Sequence, residues 1–341
     1  MGDAADALVA ESCDRRLVAL GEGSWHGEAT TTAFKADVVE RLVRECGFRT
    51  VAFEASAYQF AHVQRRADAG EAVSADDVAA AGTGLLSFSA EMAPLNAFLA
   101  QAMSAGEVRA VGLDYSLSQY GQDFANFEMA GELAANVSVE MRGICEARVL
   151  DFVYGRPVKT KALRTCTEAM VDAARDPSQR YMATNLDRRA AAEANPAGRL
   201  DSRKANMLGN LSEIVGEDEN KVIVWAASVH FIDGILPPLS RVRNDARHVV
   251  AFSAKGGRYA TGGVSTWDWP APAEGSLENY LSDLDAEAAY IGRDLYQGRG
   301  WKVSAVRTYE VEKRLAYDDP IDAVVVFREM NPLVRRTGAD P

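Results

Sequence analysis

The stretch LGEGSWHGEA, residues 20 to 29, sets Glu22 and His26 four positions apart in a turn that holds three glycines. Histidine ordinarily titrates near neutrality, so it can take a proton from water and return it to a leaving group. A carboxylate at hydrogen-bond range would orient it and stabilise its charged form. Further groups of the same kind recur along the chain: Glu54 closes the apolar run TVAF, Asp114 follows RAVGL, and His230 lies just past KVIVWAA. The other two histidines read as structural, His62 within the helical pattern YQFAHVQRR and His248 within a basic turn, ARHVV.

An open parallel sheet would gather these groups, because such sheets bind ligands along the carboxyl edge of their strands. LVAL at 17 to 20, TVAF at 50 to 53, RAVGL at 109 to 113, KVIVWAA at 221 to 227 and DAVVVF at 322 to 327 are short apolar runs bounded by turn residues. Continuous runs of this kind suit strands covered on both faces. Between the first two, Phe34, Val38, Leu42 and Cys46 recur every four positions, with Val39 and Val43 alongside and Gly47 as the C′ residue. Residues 17 to 53 therefore read as strand, helix, strand with a right-handed parallel crossover. From 122 to 218 strand-like runs vanish, and segments rich in alanine, glutamate and arginine are broken at PVK, DPS and NPAG.

The expected fold is α/β: a mostly parallel central sheet flanked by helices, with core residues 1–121 and 219–341 and an inserted helical lobe, 122–218, forming a cleft. The segment beyond 250 reads as loop-rich, with Trp267 and Trp269 as candidate pocket walls. No internal repeat or low-complexity segment is evident.

The chain has 341 residues and a formal net charge of -12, which argues against nucleic-acid or anionic-membrane partners, since phosphates reward clustered Lys and Arg. A small-molecule substrate is the expected partner; the oligomeric state does not follow from composition. The first residues are acidic and lack the basic and apolar regions of a secretory signal, and no run approaches the ~18 apolar residues that would span a bilayer. Cys13, Cys46, Cys145 and Cys166 have no CxxC spacing, so buried thiols in a reducing cytoplasm are expected.

Two other chemistries compete for the loop. Gly21, Gly23 and Gly27 after a strand, with Glu54 ending the next one, resemble a dinucleotide fingerprint. That cradle is usually small and uncharged, whereas this one carries Glu22, Trp25 and His26, and its third glycine comes one place late. Glu22, His26, Glu54 and His230 also supply donor types that suit Mn, Zn or Fe, without an HExxH spacing. The expectation is that neither cofactor nor metal is used, and that the glycines give the catalytic loop a flexible frame.

The segment GEGSWHGEATTTAFKADVVERLVRECGFRTVAFEA resembles the opening of the erythromycin esterase family, which includes succinoglycan-biosynthesis proteins. The matching positions are Glu22, His26, Lys35, Gly47-Phe48 and Glu54-Ala55, with weaker matches at GLDYS, RYMATN, WAASVHF and DAVVVFREMNP. The resemblance implies hydrolysis of an ester or lactone in a cleft, with a natural-product tailoring step expected ahead of macrolide hydrolysis. His26 would be the general base, Glu22 and Glu54 its carboxylate neighbours, Lys35 the cation at a developing oxyanion, and His230 a partner across the cleft. Trp25, Asp114, Arg180 and Ser228 complete the candidate set as substrate-binding residues. Three residues separate Glu22 from His26 where the family has two, Lys35 replaces a more usual arginine, and Ala227 stands where the family has a histidine. These departures leave acyl transfer, cyclisation, elimination or simple binding as alternatives.

Overall fold

The computed structural model describes residues 1–23, 26–117, 121–216, 220–233, 246–261, 265–272, 274–280, 286–297, 303–308, 311–315 and 321–335. The five apolar runs form strands β1 (Leu17–Glu22), β2 (Thr50–Ser56), β3 (Arg109–Asp114), β4 (Val222–Ala227) and, later in the chain, β11 (Ala323–Phe327). Before β11 come β5 (Arg247–Ala254), β6 (Arg258–Thr261), β7 (Ser265–Asp268), β8 (Ala288–Gly292), β9 (Val303–Thr308) and β10 (Val311–Leu315). Seven strands make one sheet in the order β3-β2-β4-β1-β5-β11-β8, parallel throughout except for the edge strand β8. The expected α/β class is therefore the observed one. β1 and β2 are not neighbours, however, because β4 lies between them.

The α-helices are α1 (Gly2–Ser12), α2 (Ala29–Cys46), α3 (Ala57–Asp68), α4 (Ala75–Ala81), α5 (Gly84–Ser87), α6 (Ala93–Ser104), α7 (Met129–Ala134), α8 (Val139–Val153), α9 (Thr160–Ala173), α10 (Pro177–Ala192), α11 (Arg199–Gly216), α12 (Ser228–Asp233), α13 (Leu277–Tyr280) and α14 (Arg293–Gln297). Local chemistry sets their ends. Gly47 closes α2 with φ 72°, a left-handed conformation in which a Cβ would be strained. Ser74 and Asp77 cap α4 reciprocally, and Asp176 accepts from the Gln179 amide to start α10, with Pro177 in the first turn.

Alternation along each strand divides its side chains between two cores. Val18, Leu20, Val51, Phe53, Ile223, Trp225, Val250 and Phe252 face α1, α2 and α6, meeting Leu8, Phe34, Val38, Leu42, Leu95 and Leu99. Leu17, Ala19, Ala52, Val222, Val224, Val249 and Ala251 face α11, meeting Met207, Leu211 and Ile214. Each large apolar side chain sealed in this way stabilises the fold by about 1.5–3 kcal/mol. The described residues between β3 and β4 are helical and carry their own core, built around Cys145, Val149, Leu163, Met170, Met182 and Leu186.

Two expectations are corrected. ARHVV is the start of β5, with His248 paired to Val18, rather than a turn. Its polar opening hides the apolar run behind it, and the imidazole is satisfied inside the fold by the Ser12 hydroxyl at 2.8 Å and the Tyr290 hydroxyl at 3.1 Å. The cysteines are also paired rather than free: Cys13 with Cys46, and Cys145 with Cys166, at Cα separations of 4.8 and 5.1 Å. Each bridge joins the ends or faces of two different helices, a proximity that sequence spacing does not reveal. Cysteines paired in this way do not point to a reducing compartment. Among the described residues no helix is long and apolar enough to cross a membrane.

Candidate active site

The carboxyl ends of β1, β2, β3 and β4 converge on one cluster. Glu22 is the last residue of β1, and the chain then turns so that His26 adopts φ 51°, the one positive value outside glycine among the described residues. Backbone strain of this kind costs of order 1–3 kcal/mol and persists only where the surroundings enforce it. They do so here: the Gly23 amide donates to Glu28 Oε2 at 3.0 Å, the His26 amide reaches the Gly23 carbonyl at 3.3 Å, and the Gly27 carbonyl accepts from Ala260 and Leu333. A Cβ on Gly21 would collide with Ser228, one on Gly23 with Glu28, and one on Gly27 with the Ala260 carbonyl. The glycines are needed for close packing, not flexibility. The Gly23 amide that a phosphate cradle would offer is already taken by Glu28, whose carboxyl burial pushes upward in pKa.

Glu54 is aimed by an irregularity in β2. Phe53 pairs with Gly112 and Ser56 with Asp114, so β2 carries one extra residue against β3 at this point. Such a bulge turns a side chain out of the alternating pattern. Gly112 permits it, since a Cβ there would strike the Ser56 carbonyl, and the Thr83 hydroxyl holds the Glu54 carbonyl at 2.7 Å.

The contacts are dense. His26 Nδ1 lies 2.7 Å from Glu22 Oε1 and His26 Nε2 lies 3.7 Å from Glu54 Oε2. The other Glu22 oxygen is paired with the Lys35 ammonium, which also sits 4.0 Å above the Trp225 ring. Glu54 Oε1 faces His230 Nε2 at 2.8 Å and Arg203 Nη2 at 2.9 Å, while Oε2 accepts from the Ala227 amide at 2.9 Å. Burial alone would raise the Glu54 pKa, but His230, His26 and Arg203 outweigh it and hold the carboxyl well below the usual carboxylate range. A carboxylate cannot donate, so His230 Nε2 carries the proton toward Glu54 and its neutral form leaves Nδ1 as an acceptor.

Arg203, on α11, is the member that sequence reading missed. Its Nε donates to Asp114 Oδ2 at 2.8 Å, so one guanidinium ties Asp114 on β3 to Glu54 on β2. These two carboxylates raise its pKa against the lowering effect of burial. Below it Asn206 and Asn210 both donate to the Leu113 carbonyl and to Asn185 Oδ1, fixing α10 and α11 against the end of β3. A signal existed: Arg203, Asn206 and Asn210 form a polar line at helical spacing where an apolar one would be expected.

His26, Glu22, Glu54, Lys35, His230 and Asp114 are thus brought together. Lys35 is fully buried behind Glu22, and burial lowers its pKa, so it does not face a developing oxyanion directly. Asp114 is occupied by Arg203 and Ser116, and the buried Ser228 hydroxyl donates to the Gly21 carbonyl at 2.6 Å, a positioning contact rather than a ligand surface. Arg180 is exposed on α10, reaches only the Ala174 carbonyl at 3.5 Å, and is not part of the cluster. Trp25 lies outside the described residues. Side chains of His26 and Arg203 are 19% and 24% exposed, against 0–7% for Lys35, Glu22, Glu54 and His230, so these two are the members of the set most open to solvent. Among the described residues no group of three or more His, Cys, Asp or Glu is arranged to hold a metal ion.

Comparison with solved structures places the architecture. The chain is similar to a succinoglycan biosynthesis protein, with a TM-score of 0.75 at 14% identity, over 97% of this chain and 92% of that one. A Bacillus cereus protein gives a TM-score of 0.71 at 14% identity over the same shares. A mutant of the erythromycin esterase EreC in its open conformation gives 0.65 at 13% identity, over 98% of this chain and 95% of that one. At these identities the likeness is one of fold. No family model and no curated protein sequence matches the chain.

Proposed function

We propose that the chain is a hydrolase of an ester or lactone in which His26 acts as general base. The observation that carries this reading is the seating of His26 between two carboxylates, with Nδ1 held by Glu22 and Nε2 turned toward Glu54 at the exposed side of the cluster. Nδ1 donates to Glu22, which leaves Nε2 free to take a proton from an attacking water. The water oxygen bonds to the acyl carbon, the imidazolium is stabilised by Glu22 and Glu54, and the proton passes to the departing alkoxide. The products are an acid and an alcohol.

Arg203 takes the oxyanion role that the family resemblance implied for Lys35, because its Nη1 makes no hydrogen bond among the described residues and its side chain is the most exposed of the cluster. Lys35 acts through Glu22. A metal-free reaction is supported by the carboxylates themselves, whose four oxygens are each engaged by a cation or an N–H group. The helices of 122–218 would form one wall of the cleft around a small-molecule substrate.

Ala227 favours a second reading, acyl transfer or cyclisation, because its methyl group brings no side-chain acid or base to the cluster where the resembled family has a histidine. A panel of lactones and aryl esters, assayed with ¹⁸O-water, separates the two: label in the acid product indicates hydrolysis. His26→Asn should lower kcat/KM by about 10²–10⁴-fold with chelator-treated enzyme fully active beforehand. Unchanged turnover in His26→Asn would sink the proposal.

A further inference from the structure

A cavity of about 390 Å³ opens at the opposite edge of the sheet from the cluster, where β5 and β11 begin and β8 ends. Three arginines from three elements meet there: Arg15 after α1, Arg247 at the start of β5 and Arg293 after β8. Asp322 is their shared carboxylate, but it is already used, accepting from the Val249 amide at 2.8 Å and pairing with Arg293 at 3.0 Å. The other carboxylates, Glu11 and Asp294, are exposed at the rim, and Glu11 accepts from the Tyr290 hydroxyl at 2.6 Å.

Arg247 is the cation that no carboxylate touches: its charge acts on Asp322 only through space. It is half-buried, it lines the cavity, and it makes no hydrogen bond or ion pair among the described residues. Exposed carboxylates are screened by water, whereas a guanidinium partly withdrawn from water gains most from a bidentate oxyanion partner. The depth of the cavity is thus cationic and its mouth polar, with the Tyr290 ring as one wall.

We infer that this cavity is a second ligand site, taking a small organic oxyanion, a carboxylate or a phosphate ester, on the fork of Arg247. It is separate from the active site: β5 has eight residues, so its two ends lie about 23 Å apart at ~3.3 Å per residue. A substrate seated at His26 does not reach it.

The test is calorimetric titration of the full chain with citrate and, separately, inorganic phosphate, with sodium chloride at matched ionic strength as the control. Saturable binding of citrate identifies a carboxylate site and of phosphate a phosphate site; either supports the inference. Arg247→Gln should weaken that binding about tenfold or more, while Arg44→Gln, which removes an exposed pair with Glu40, leaves it unchanged. If Arg247→Gln does not fold by circular dichroism, Arg15→Gln is read in its place with the same expectation. Absence of saturable binding by both anions overturns the inference, as does equal binding in the variant that folds.

Discussion

Lys35 and Glu22 form an ion pair from which water is excluded, directly behind His26: the ammonium side chain is 0% exposed and the carboxylate side chain 2%. Breaking a buried pair leaves one charge uncompensated, which typically costs about 3–5 kcal/mol. Lys35→Met keeps the volume and removes the charge, so urea unfolding should show a loss of that size, with Glu22 no longer anchored against His26. A loss under about 1 kcal/mol would mean that Lys35 is uncharged in the fold and that Glu22 needs no partner there.

Arg203 spans two carboxylates with a planar fork, and an ammonium offers no such geometry. Under the proposed hydrolysis, Arg203→Lys should therefore keep the fold but lower kcat by at least about tenfold, with a smaller change in KM, on any ester or lactone that the panel shows to be turned over. An equal rise in KM with kcat preserved would assign Arg203 to ground-state binding instead.

Gly27 packs against the backbone carbonyl of Ala260, which cannot swing aside as a side chain can. Gly27→Ala should cost about 1–3 kcal/mol in thermal or denaturant unfolding, because the loop and β6 must separate. It should also lower turnover by more than the lost stability explains, since His26 moves with the loop. A variant of native stability and rate would show that the loop has room to spare.

Much of this site could be read from residue order alone. Continuous apolar runs announced β1 to β4 and β11 because those strands are buried on both faces, and Glu22, Glu54, Asp114 and His230, at, near or just past the ends of β1 to β4, pointed to the sheet edge. β5 and β8 were not legible: β5 opens with Arg247 and His248, and β8, AAYIG, is a short edge strand whose apolar content is ordinary. Arg203 was harder to single out, although its helical spacing with Asn206 and Asn210 is a signal. It sits in LDSRKANM among other polar residues, and only the register of α11 against β3 decides which of them turns inward. The disulfides were misread because pairing across helices depends on tertiary proximity.

His248 is buried and held neutral, with burial lowering its pKa to about 4. In the unfolded chain a histidine titrates near ~6.5, so below that pH the unfolded state binds a proton that the folded state refuses. Its contribution is complete above about pH 6.5 and is lost as pH falls toward 4, by up to about 3 kcal/mol. Ser12, Tyr290 and the nearby Arg15 face it, and none compensates a positive charge. His248→Gln should flatten the fall of Tm between pH 6.5 and 4 relative to wild type; parallel curves would show that other groups set the acid limit.

The four cysteines make a simple count possible. Protein denatured without reductant should titrate no thiols, and four after reduction. The bridge of Cys145 with Cys166 closes a separation of 21 residues, and opening it should lower stability by about 3 kcal/mol if chain entropy governs. Four thiols before reduction would return the cysteines to the free state expected from their spacing.

The position of β4 has a consequence for how the protein is made. β1 and β2 are synthesised early, yet the strand that belongs between them follows more than a hundred residues later, after every helix from α7 to α11. Until it arrives, both strands present unpaired edges, and the long loop must close before they are covered. β4 and α12 also bring the Ala227 amide and His230 to Glu54. A nascent chain stopped short of residue 222 would hold Glu22, His26 and Glu54 without the wedge that joins them, so the joining of β1 to β2 and the assembly of this cluster are a single late event.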